Sequence, residues 1–116
     1  MPLHLTPEML EAAYELLRTT PPFKRWRLPP AEEVEFHVTK HLDLRGDCVD
    51  AGHAHVIRIS GNCHGSLQKL LETMAHEMCH VRQAINDPDD RAHHGSVFKK
   101  YAAQVCRVHG FDPKAF

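Results

Sequence analysis

Residues 66–85 leave this chain little freedom in how it folds. Leu67, Leu70, Leu71, Met74, Met78, Val81 and Ile85 recur at helical spacing and draw one apolar stripe. Ser66 opens the run, and Asn86-Asp87-Pro88-Asp89-Asp90 closes it in a polar loop. Within it lies His76-Glu77-Met78-Cys79-His80. At 3.6 residues per turn the two histidines stand one above the other, roughly 160–180° from the centre of the stripe. One face then anchors the helix in a core, and the opposite face lines a cleft or meets solvent.

The remaining elements are arranged around that helix. Thr6 and Pro7 start a helix over residues 6–18, with Met9, Leu10, Ala13, Leu16 and Leu17 in phase. Thr19-Thr20-Pro21-Pro22 stops it, and Phe23 and Trp26 should pin the following connection to the core. Val34, Phe36 and Val38 alternate with polar residues as in a half-buried strand. Residues 42–52 read as a turn or short hairpin arm around Gly46-Asp47, and a second strand runs over residues 53–60 through Val56-Ile57-Arg58-Ile59. A last helix runs from Gly95 or Ser96 to His109, with Gly110 at its end. The order describes an α+β chain with a small sheet, one domain over residues 1–116.

Composition narrows the classes. Of the 116 residues 42% are apolar and 25% charged, as in a globular domain, and no apolar run is long enough to span a membrane. The N-terminus lacks a signal-peptide pattern, and Cys48, Cys63, Cys79 and Cys106 form no CxxC pair. The expectation is a cytoplasmic protein with reduced thiols. A net charge of −1 gives no support for nucleic-acid binding. Eleven histidines make metal binding a live prior.

HExxH has a physical logic. Two imidazoles four residues apart can reach one ion, and the intervening glutamate can hold a water and take its proton. In a chain this rich in histidine the pattern arises in roughly 7% of shuffles, so its context has to carry it. Catalytic zinc takes three protein ligands plus water. His93-His94-Gly95 lies one loop beyond the helix, and helical phase puts His94 on the Phe98, Tyr101 and Val105 side, so it is favoured over His93 as the third ligand.

These residues, followed by His94-Gly95-Ser96-Val97-Phe98, resemble the SprT-like zinc metallopeptidases, the group that includes the Spartan-type proteases. The resemblance extends over about residues 6–111, through Phe23-Lys24-Arg25-Trp26-Arg27-Leu28-Pro29, Val34-Glu35-Phe36, Gly46-Asp47-Cys48 and Val56-Ile57-Arg58-Ile59-Ser60. It is to the protease core, without the paired CxxC zinc ribbon of many relatives. It implies His76, His80 and His94 as ligands of Zn2+ and Glu77 as catalytic base. It also implies a minimal zincin (gluzincin-like) domain, with a small antiparallel sheet packed against the HExxH helix and flanking helices. The activity implied is that of a zinc-dependent endopeptidase using a metal-activated water. Its partner is a protein or peptide substrate, with DNA-associated proteins as one candidate class. The alternative is a non-catalytic zinc-containing binding or accessory module, which would close the metal with a fourth protein ligand.

Other residues have plainer readings. His37 and His41 span a strand end, His53 and His55 share a strand face, and His64 lies in a turn; none is expected to be a ligand. His109 should be a hydrogen-bonded histidine on the apolar side of its helix. Cys79 should be a half-buried filler. Tyr101 is a candidate substrate or oxyanion contact, with packing as its alternative. Arg82, Arg91, Lys99 and Lys100 read as a solvated rim. An extended substrate is expected along the 53–60 strand, taken as a sheet edge.

Overall fold

The computed structural model describes residues 4–40, 46–50, 55–61 and 66–116. Helix α1 spans Pro7–Arg18, strands β1, β2 and β3 span Val34–Thr39, Gly46–Asp50 and His55–Ser60, and helices α2 and α3 span Leu67–Asn86 and Ser96–His109. Caps set the helix ends. Thr6 Oγ1 accepts from Met9 N at 3.2 Å, and Ser66 Oγ accepts from Lys69 N at 3.2 Å. Gly110 ends α3 with φ +78°, a conformation that a side chain would strain.

The sheet is mixed, not antiparallel as the sequence suggested. Its order is β1-β3-β2. β2 and β3 form an antiparallel hairpin from Gly46↔Ile59 to Asp50↔His55, whereas β1 runs parallel to β3 from Val34↔His55 to Thr39↔Ser60. The chain leaves β1, passes the place of β3, builds β2, and returns between them. Alternation along a strand reports which face is buried and says nothing about its neighbours, so local sequence could not reveal this insertion. In consequence the 55–60 strand is central, and the expected edge for substrate is corrected: the edges are β1 and β2. Asp47 and Arg58 face each other in the hairpin register and join through two hydrogen bonds of 2.6 and 2.7 Å, which pins the pairing.

The core lies between the sheet, α1 and α2. Ile57 and Ile59 of β3 are fully buried, with Leu10 and Tyr14 of α1 and Met74, Met78 and Val81 of α2. Phe23 and Trp26 are buried as expected, edge to face at 5.1 Å. The ends of the α2 stripe depart from expectation. Leu67 and Ile85, in the first and last turns of this 20-residue helix, are 58% and 46% exposed. Its middle is buried on more than one side, so that Glu72, Thr73, Glu77 and Gln83 are also inside. No helix among the described residues is long and apolar enough to cross a membrane.

Candidate metal centre

Helix α2 supplies the first half of the site. Burial of Met74, Met78 and Val81 fixes its rotation and turns the His76 and His80 rings toward the start of α3. Their ring centroids are 5.1 Å apart. The second half is the loop from Asp87 to Gly95, which returns the chain to α2. Asp90 Oδ1 accepts from Ala92 N at 3.1 Å, and Gly95 N donates to Ala92 O at 3.2 Å. A side chain on Gly95 would place its Cβ 2.7 Å from Ala92 Cβ, so the loop closes this tightly only around glycine.

That turn brings His94 to the helix pair. His94 Nε2 lies 3.2 Å from His80 Nε2 and 3.2 Å from His76 Nε2. Zinc with Zn–N distances of 2.0–2.1 Å in tetrahedral geometry places its nitrogens about 3.3–3.4 Å apart. Both distances are close to that value, and one ligand atom from each of the three rings lies within 4.8 Å of the others, so the group could hold one ion. Among the described residues, these three histidines form the group able to hold a metal, and no fourth His, Cys, Asp or Glu joins them. His93 stays outside the cluster, its ring 5.9 Å from that of His80.

The donor chemistry agrees. His80 Nδ1 meets Gln83 Oε1 at 3.2 Å, and His76 Nδ1 meets the main-chain oxygen of Phe116 at 2.6 Å. Both partners are acceptors, so each Nδ1 carries the proton and each Nε2 presents a lone pair inward. Burial, then the neighbouring His76, pulls the His80 pKa down to about 4, which keeps the ring neutral at pH 7. Phe98 supports all three rings. It stacks on His80 at 4.4 Å and meets His76 and His94 at 4.9 Å. Phe116 lies against His76 at 5.3 Å from the other side.

Glu77 is 3% exposed and faces β2. A Cβ on Gly46 would sit 3.3 Å from Glu77 Oε2 and 3.0 Å from Arg58 O, so the bare glycine gives the carboxylate its space. Beside the centre a cleft of about 240 Å³ is lined by Cys48, His80, Gln83, Asp87, Asp90 and His93, among others.

The other sequence candidates lie outside the three-histidine cluster. Tyr101 is buried, its hydroxyl donating to Asp87 Oδ2 at 2.8 Å and accepting from Asn86 Nδ2 at 3.1 Å. Arg82 does not belong to a solvated rim. It donates to Trp26 O at 3.0 Å, with its guanidinium carbon within 6 Å of both the Trp26 and Tyr101 ring centroids. Arg91, Lys99 and Lys100 are exposed as expected. Cys79 is fully buried, not half-buried as expected, and that burial pushes its thiol pKa well up. His109 contacts Thr20 Oγ1 at 3.1 Å, and exposed His37 lies 3.5 Å from Glu35. His55 sits on β3 away from the cluster; His41, His53, His64 and Cys63 lie outside the described residues.

Sequence reasoning missed Gln83 and Phe116 as parts of the centre. Gln83 is three residues after His80, on the same helix face, and that spacing was a usable signal. Phe116 is 40 residues from His76 and carried none.

Comparison with known proteins gives one family: SprT-like matches residues 13–115, nearly the whole chain. Among curated proteins nothing matches.

Proposed function

The chain belongs to the SprT-like family, and on that premise we propose that it is a zinc-dependent endopeptidase with His76, His80 and His94 as ligands and Glu77 as general base. The observation that carries this reading is the convergence of three Nε2 atoms, two of them in rings whose Nδ1 atoms face acceptors. His76, His80 and His94 would hold a zinc ion, which would supply Lewis-acid chemistry for a peptide carbonyl and acidify water. Glu77 follows His76 directly on the helix, and its carboxylate would serve as the general base that accepts a proton from the attacking water and passes it to the leaving amine. Phe98 and Phe116 pack against the rings and hold their orientation. Among the described residues strand β2 is an edge of the sheet and packs beside α2, and an extended polypeptide would lie along it.

The competing reading is a closed structural site, which needs a fourth protein ligand; the described residues bring three together. DNA-associated proteins remain a proposed substrate class, and the net charge of −1 lends them no support. Cleavage of an unfolded protein substrate with and without added DNA, by wild type and Glu77→Gln, tests the proposal. Wild-type turnover should fall by at least about 100-fold in the variant while zinc is retained. Equal cleavage by both would rule out Glu77 as the base.

A further inference from the structure

Gln83 is 5% exposed, and its side-chain hydrogen bonds run to both halves of the metal centre. Its Nε2 donates to Asp90 Oδ2 at 2.9 Å and to Ala92 O at 2.9 Å. Both are acceptors, so the orientation of the amide is determined: nitrogen toward the loop, oxygen toward the helix. Oε1 then accepts from His80 Nδ1 at 3.2 Å. The other oxygen of Asp90 holds Ala92 N, two residues before His94. One buried amide thus connects the ring of a helical ligand to the loop that delivers the third ligand.

We propose that Gln83 is a positioning residue of the metal centre, which selects the Nε2-ligating tautomer of His80 and moors the 87–95 loop so that His94 reaches the same ion. The proposal rests on the zinc reading given above. A leucine of similar volume would satisfy packing at this position and would leave His80 Nδ1, Asp90 Oδ2 and Ala92 O without their partner. A polar side chain at this depth is explained by what it bonds. A residue that merely packs would affect the stability of the metal-free chain and leave zinc affinity alone, and this separates the two roles.

The test uses the full chain. Zinc dissociation constants, measured by competition with a chromophoric chelator, are compared for wild type, Gln83→Leu and Asp90→Ala, beside thermal unfolding of each metal-free protein. Gln83→Leu should weaken zinc binding about 10- to 100-fold, as loss of a group that orients a ligand does. Asp90→Ala removes one acceptor of the amide on the loop side, outside the core, and should weaken it about three- to tenfold. If Gln83→Leu does not fold, Asp90→Ala decides. Zinc constants within twofold of wild type overturn the proposal, even with a lower unfolding temperature, and leave the zinc reading standing. A wild type that takes up no zinc overturns both.

Discussion

His76 and His80 ride on a helix whose inner residues Met74, Met78 and Val81 are fully buried, whereas His94 ends a loop of mostly exposed residues held by hydrogen bonds. The helical half is positioned by the hydrophobic core, so its two histidines are in place whenever the domain is folded. The loop half is positioned by a few polar contacts with α2 and by the tight turn at Gly95. Damage to the helical half should therefore appear in fold stability, and damage to the loop half in metal affinity.

Four changes would sharpen or break that contrast. The largest effect is expected from Met78→Ala, which opens a cavity under the helical half and should cost about 2–5 kcal/mol of stability by denaturant unfolding. His94→Ala, in the loop half, should lower zinc affinity by more than the ~100-fold ceiling for an orienting group. It should nonetheless leave metal-free stability within about 0.5 kcal/mol, since the residue is exposed. If both variants lost stability equally, the contrast would fail. Removal of residues 112–116 takes away the Phe116 oxygen that holds His76 Nδ1, and should weaken zinc about tenfold in chelator competition.

The smallest effect concerns pH. The His80 pKa is about 4 in the folded chain against a usual 6.5. Between those values the unfolded chain binds the extra proton and the folded one does not, so His80 favours folding fully above pH 6.5 and loses that contribution as pH falls toward 4. Metal-free wild type should therefore lose stability over this interval relative to His80→Ala. Parallel curves for the two proteins would remove His80 as the cause.

The parts legible in the sequence are those governed by short-range period. The phase of Leu70, Met74 and Met78 against His76 and His80 defined both faces of α2, and the phase of His94 with Phe98 separated it from His93. What escaped depends on long-range placement. Nothing in Val56-Ile57-Arg58-Ile59 says that β1 will flank it on the far side, and this insertion moved the sheet edge to β2. Arg82 looks solvated in the sequence until Trp26 and Tyr101 meet around it. Gln83 was in phase with His80, but its role exists only once the loop brings Asp90 and Ala92 back to it.

A metal held by three histidines would keep one coordination position for water, and X-ray absorption at the zinc edge on the purified chain distinguishes this from a closed site. The account predicts about one zinc per chain with nitrogen and oxygen neighbours only, at about 2.0–2.1 Å. A sulfur neighbour at about 2.3 Å would show a cysteine closing the site as in a structural centre, and would contradict it, as would a chain that binds no zinc.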